Sequence, residues 1–397
     1  MELPGDALIN YIFPNNAHVF WSLTIVVYPF ITGLMAGAFV VSALAHVFKV
    51  EALKPIGNFA LIAAFCFGAF AGVPLLVHLG QPQRFYEIFV TPHLTSAMSI
   101  FGYVWLGYMV LLAIEIWLIY RKFFIEKAAE TSGWMGRVWT LLTLGVTTYH
   151  PDSARIDKKL SVILAGIGIP WAILLHGYVG FIFGSVKAIP WWATPLQPVI
   201  FILSAMVSGM ALLMLMYSFI KWRTGETCDY TLIKVFMAFL WGIFLLAFSM
   251  EMLELGTVIY EKGHHWAVIG PLLRGPLFNS YVIGQVLCLS LVPSVLLGVI
   301  VLSNMTGKTL LYWANIGSLM LVLQVLFMRF NVVIGGQLIS KSERGFVDFQ
   351  WEWFTHEGVV PVAVVFMGPF IAYYIISRFL PVLGRSTLSP PGLKERG

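Results

Sequence analysis

The stretch "FPNNAHVFWSLTIVVYPFITGLMAGAFVV", Phe13 to Val41, decides the fold class. It opens on two asparagines and a histidine, then stays apolar for longer than the roughly 20 residues an α-helix needs to cross about 30 Å of hydrocarbon. It lacks the alternating pattern of a barrel strand. Comparable runs recur near 17–47, 56–79, 94–121, 159–186, 196–221, 231–260, 278–303, 309–338 and 358–380. The chain therefore reads as an all-α integral membrane protein of about nine transmembrane helices.

Composition agrees. Of 397 residues 59% are hydrophobic and only 11% charged, against roughly 25% charged in a soluble domain. No polar stretch is long enough to bury a core of its own, so residues 1–397 are expected to form a single membrane domain with no separate catalytic head. The start, "MELPGDALIN", lacks the basic region of a cleavable signal, and the first apolar run is read as a retained span. Cys66, Cys228 and Cys288 are isolated, without a C-x-x-C pair, which argues against cysteine-held iron–sulfur or zinc and against a disulfide framework.

The formal charge of +5 belongs to loop anchors rather than to an acidic ligand. With the N-terminus outside, the inner loops and C-terminal tail hold 17 Lys and Arg residues and the outer side 6, Arg329 being left inside a span. The positive-inside rule then sets the N-terminus out and the C-terminus in, within the inner (cytoplasmic) membrane. In the longest inner loop, "WMGRVWTLLTLGVTTY" (134–149) is too short to span and is expected as an interfacial helix. The outer loops at 261–277 and 339–357 mix acids, bases and tryptophans, a composition that suits headgroup anchoring or the docking of a partner.

Polar groups gather toward the outer ends of the spans. Asn15 and His18 open the first. His78 closes the second, about 33 Å above Ile56 at the rise of an α-helix. In the fourth, His176 and Tyr178 lie in the outer third, but two residues apart they point to nearly opposite faces, so one of them at most lines a given pocket. Boundary His and Tyr also serve as plain interfacial anchors, whereas His176 sits in an apolar helix, where an ionisable group usually faces a bundle interior. Glu251 and Glu254 share a helix face, and Arg329 lies at similar depth. An ion pair from Arg329 to one of them is expected, as a structural clamp or as part of a proton path. Glu115, near the inner end of the third span, reads as a snorkelling boundary residue or a proton entry.

Three stretches carry a resemblance: "HLGQPQRFYEIF" (78–89), "HGYVGFIFGSVKAIPWWATPLQPVIFILSAMVSG" (176–209) and "RFNVVIGGQ" (329–337). In order and spacing the chain resembles the NrfD family, the quinone-reactive membrane subunits of polysulfide reductase, tetrathionate reductase, menaquinone reductase and alternative complex III. The resemblance implies two four-helix bundles, at 13–190 and 195–340, with an added helix at 358–381. It implies a quinone, menaquinone in particular, in the first bundle near the outer face. It also implies a ferredoxin-like iron–sulfur subunit docked there, with a molybdopterin or multihaem cytochrome c subunit beyond. The family's pocket tyrosine maps to Tyr178. Its acidic residue before "LG-x-P-x-RF" is here His78, a departure, and Arg84 belongs to the same motif. In the first span Asn15 and His18 have suitable chemistry, while alignment on "GLMAG" points to Tyr28.

A quinone carbonyl needs hydrogen-bond donors, and its redox change moves protons with electrons, which suits imidazole and phenol side chains. His18 or His78 is expected to exchange the proton and Tyr178 to orient the head group, with His176 nearby. Glu115, Glu251, Glu254 and Arg329 form a candidate proton path. No haem, iron–sulfur or other metal ligand set is evident in the chain. Two other classes use similar ingredients. A b-type cytochrome anchor would take His18, His78 and His176 for an outer haem, but the inner side offers only His46. A secondary transporter would be expected to show broken helices in matching positions.

Overall fold

The structure, a computed structural model, describes residues 19–93 and 95–383. Asn15 and His18 lie outside the described residues. Among those described are nine helices long and apolar enough to cross a bilayer: α1 (Leu23–His46), α2 (Glu51–His78), α3 (Ala97–Glu130), α4 (Pro151–Gly184), α5 (Gln197–Thr224), α6 (Tyr230–Glu261), α7 (Phe278–Leu302), α8 (Gly307–Gln337) and α9 (Val359–Phe379). The chain is an all-α integral membrane protein. Odd-numbered helices begin, and even-numbered ones finish, at what is called here the proximal end. Links across that end show it: the Trp21 backbone N–H donates to Gln337 Oε1 at 3.1 Å, and His78 meets Glu357 just before α9. At the distal end, Lys234 Nζ donates to the Ser303 carbonyl at 2.6 Å.

Helices α1 to α4 pack around one another in order, α4 closing on α1, and α5 to α8 do the same. The two groups meet where α1 crosses α5, with α4 against α5 and α8 against α1 beside them. That crossing depends on glycine. A Cβ at Gly37 would lie 2.2 Å from the Ala205 carbonyl oxygen, and one at Gly209 would lie 2.5 Å from the Gly37 Cα, so only bare backbone permits the approach. α9 stands outside, packed on α2 and α1.

Helices α3 and α4 run further into the distal loop than their apolar stretches. α3 continues to Glu130 because "RKFFIEKAAE" is a good helix former reinforced by the pairs Lys122–Glu126 (3.6 Å) and Lys127–Glu130 (2.7 Å). The extensions are tied together by Arg121 Nη1 to Asp157 Oδ1 at 3.0 Å and by the Tyr149 hydroxyl to Asp157 Oδ2 at 3.1 Å. Glu115 is therefore mid-helix and fully buried, which corrects the expectation of a snorkelling residue near a helix end. Between the two helices, only Gly133–Leu142 is helical, because Leu144 and Gly145 turn the chain at φ of 53° and 82°. Trp134 and Leu141 face outward from it.

Candidate functional site

The polar side chains of the membrane region form three groups. The first is a cavity of about 60 Å³ among α5, α6, α7, α8 and the 186–196 connection. A water needs roughly 10–15 Å³ of such space, so it has room for a few. Glu251 and Glu254 line it together with Thr194, Tyr281, Gln285 and Asn331, and His265 stands in its lining from the short helix His264–Arg274. Asn331 Nδ2 donates to Gln285 Oε1 at 2.8 Å, and Gln285 Nε2 donates to Glu251 Oε1. The first part of α7, Phe278–Leu291, is wound as a π-helix. Its i→i+5 turn is wider than an α-helical one, a feature often found at functional sites, and it sets both Tyr281 and Gln285 on the cavity side. The connection is held to α8 by its tandem tryptophans. Trp191 Nε1 donates to the Asn331 carbonyl at 2.9 Å and Trp192 Nε1 to that of Val332 at 2.5 Å, with the Trp192 ring lying against Gly336.

The second group sits on the seam between the two helix sets. Arg329 is fully buried. Its Nη2 donates to Ser204 Oγ at 2.7 Å and to the Phe201 carbonyl at 3.3 Å and lies 3.0 Å from His176 Nε2, while its guanidinium stacks 3.8 Å from the centre of the Phe201 ring. The expected ion pair with Glu251 or Glu254 is not formed among the described residues. Sequence depth placed the three groups at one level, but the arginine turns toward α4 and α5, while Glu251 is taken by Gln285 and faces the cavity. His176 is bound at this seam. The two-residue offset separates it from Tyr178, as expected from helix geometry.

The third group is at the proximal end of α1 to α4. His78 Nδ1 lies 2.9 Å from Glu357 Oε2, and Glu357 also bonds Ser22, the residue capping α1. Burial alone would raise the Glu357 carboxyl, but its bonds from Ser22 and His78 and the nearby charge of His78 outweigh burial and hold it below the ordinary carboxylate range. Tyr178 is half-buried beside Phe181. It lies two turns beyond Trp171, whose Nε1 donates to the Val104 carbonyl of α3 at 3.0 Å, and so shares the face turned to α3. Tyr28 meets Phe101 of α3 edge-on, and its hydroxyl is buried without a partner among the described residues. The Glu115 carboxyl and the Tyr108 hydroxyl, deeper in the same helices, also lack one. Arg84 is exposed at the rim, bridged to Glu87 at 2.7 Å.

Tyr281, Gln285, Asn331, His265 and Glu357 were absent from the sequence reading. Amides within the apolar helices α7 and α8 were the available signal for two of them. Glu357 carried none, because its partner is 279 residues away.

Residues 13–341 match the family model described as "Polysulphide reductase, NrfD". The chain belongs to this family. It is 33% identical over 326 residues to a selenate reductase subunit of Mesobacillus selenatarsenatis, covering 79% of this chain and 73% of that one. It is 24% identical to the Hdr-like menaquinol oxidoreductase integral membrane subunit of Archaeoglobus fulgidus, over 81% of this chain and 72% of that one. It is 28% identical to a polysulfide reductase chain of Wolinella succinogenes, over 57% and 68%. The family match covers α1 to α8, and α9 lies beyond it.

Proposed function

We propose that this protein is the membrane subunit of a multi-subunit respiratory oxidoreductase, exchanging electrons between a membrane quinone and an iron–sulfur partner at the proximal end. The observation that carries the reading is the family match across eight spans, joined to relatives named as parts of selenate reductase, polysulfide reductase and menaquinol oxidoreductase. On this reading the proximal end is the outer face of the cytoplasmic membrane, as the Lys and Arg distribution supports. Menaquinone is the favoured quinone, and α1–α4 and α5–α8 act as two functional bundles. A molybdopterin or multihaem cytochrome c subunit would lie beyond the iron–sulfur partner.

The donor set of the proximal group of α1 to α4 fits a quinone head group. Tyr28 has a buried hydroxyl free to donate, Tyr178 turns its phenol toward the same neighbour, α3, and His78 is held in orientation by Glu357. A bound quinone would supply two-electron, two-proton redox chemistry. The chain's residues bind and orient it and handle its protons. His78 exchanges a proton at Nε2, since Nδ1 is engaged by Glu357, and Tyr178 orients the ring. Glu254 and Glu251 provide protonatable groups in the second set of helices, with Arg329 and Glu115 further along a candidate proton path.

Isolation of the native complex tests the proposal. A co-purifying iron–sulfur subunit and quinol-dependent electron transfer are expected. A chain that purifies without redox partners and moves a solute across vesicles would reverse it in favour of transport.

A further inference from the structure

At the distal end, the last turns of α5 and α9 flank a groove of about 650 Å³. Its walls are apolar, with Met216, Phe219, Ile220, Phe370, Tyr373 and Leu380 among them. Its rim is cationic. Arg223 lies in the last turn of α5 and lines the groove, and Arg378 lies in the last turn of α9, its guanidinium 4.9 Å from the centre of the Tyr374 ring and bonded to the Tyr374 hydroxyl. Arg223 and Tyr374 line the same groove, so the Arg378 guanidinium on the Tyr374 ring and that of Arg223 both stand at its rim. The one carboxylate in the lining, Glu226, is engaged by Lys221 at 2.5 Å. Neither arginine has a carboxylate partner among the described residues.

We infer that this groove holds an anionic diacyl phospholipid, its acyl chains along the wall between α5 and α9 and its phosphate between Arg223 and Arg378. An arginine pair at the end of two membrane helices, above an apolar trough, matches a phosphodiester with its tails in chemistry and in order of depth. The protein's own C-terminal segment is a poor alternative. Residues 384–397, "GRSTLSPPGLKERG", carry three basic side chains and one acidic, so they bring no negative complement to this rim. The bound lipid would serve as mortar: it fills the seam between the family-matched helices and α9, which lies outside the match.

The test uses the full chain in its native complex, purified in mild detergent, with bound lipid read by native mass spectrometry and thermal stability read on adding phosphatidylglycerol, phosphatidylcholine or inorganic phosphate. Phosphatidylglycerol should be retained and should stabilise, phosphatidylcholine and phosphate should not, and Arg223→Gln with Arg378→Gln should weaken retention roughly thirty-fold. Arg223→Gln alone, at an exposed position whose loss leaves the Arg378–Tyr374 contact in place, should give a loss of about five-fold. Equal retention of the two lipids, or no change in the variants, would overturn the inference. Protection by inorganic phosphate alone would show a free-anion site and overturn it as well. Lipid binding that appears only after deletion of residues 384–397 would assign the groove to the tail instead.

Discussion

The two helix sets differ in how far their buried polar groups are linked. In α5 to α8 the polar groups answer one another: Asn331 bonds Gln285, Gln285 bonds Glu251, and Trp191 ties the Asn331 backbone to the connection above. In α1 to α4 the interior hydroxyls of Tyr28 and Tyr108 and the carboxyl of Glu115 find no protein partner among the described residues. A linked network in low dielectric rigidifies one arrangement, while an orphaned buried group costs stability unless water or a ligand satisfies it. The first set thus leaves whole phenol and carboxyl groups unpaired among the described residues, while the second links Asn331, Gln285 and Glu251 and leaves Asn331 Oδ1, like the cavity beside it, to water. Arg329, bound to α4 through His176 and to α5 through Ser204, joins them.

The largest expected effect is at the joint itself. Trp192 is almost fully buried, stacks on Trp21 with centroids 5.2 Å apart, and fills the hollow over Gly336. Trp192→Ala should destabilise the protein by about 3–5 kcal/mol, read as a drop in thermal unfolding temperature. A shift of under 1 kcal/mol would mean the two sets do not depend on that plug.

Next comes the contrast in catalysis. His78→Leu should lower quinol-dependent electron transfer about 100-fold or more while the complex still assembles. Gln285→Leu, in the second set, should leave that rate within about two-fold but cost roughly 1–3 kcal/mol, because Asn331 and Glu251 each lose a partner in a buried site. Equal rate losses from the two variants would erase the division of labour, and full activity in the His78 variant would move the quinone site elsewhere.

Much of this was legible in the sequence. The nine apolar runs match nine membrane-length helices among the described residues, because hydrocarbon thickness and helical rise leave little freedom. Helix ends were less legible: α3 passes its apolar stretch because local charge pairs carry it on, and Glu115 moved from boundary to interior with it. Depth along a helix was readable, but azimuth was not. Arg329 was given the wrong neighbours, since rotation of α8 about its axis is set by its packing, as where Gly335 meets Leu277 and Gly336 meets Trp192. Long-range partners such as Glu357 depend on how α9 returns to α2, which no local pattern encodes.

The smallest effect concerns that return. Glu357 ties the loop before α9 to both Ser22 and His78, and its carboxyl is held below the ordinary range by those bonds. For a carboxyl whose folded value is depressed, the added stability is complete above the unfolded value and is lost as pH falls through the folded one. The tie should therefore be intact at neutral pH and fade only on acidification below the usual carboxylate range, with Glu357→Gln reproducing the loss at pH 7. Because the pair is partly exposed, the expected cost is about 1 kcal/mol. Hydrogen exchange at the backbone amides of Val359 and Val360, which bond to the carbonyls of Glu352 and Trp353, reads it directly. Lower protection in the variant, corrected for the intrinsic pH dependence of amide exchange, that acid does not reduce further would place the proximal tie in this carboxyl. Protection that still falls with acid in the Gln variant would assign it to another group and remove the support that fixes His78 for the first helix set.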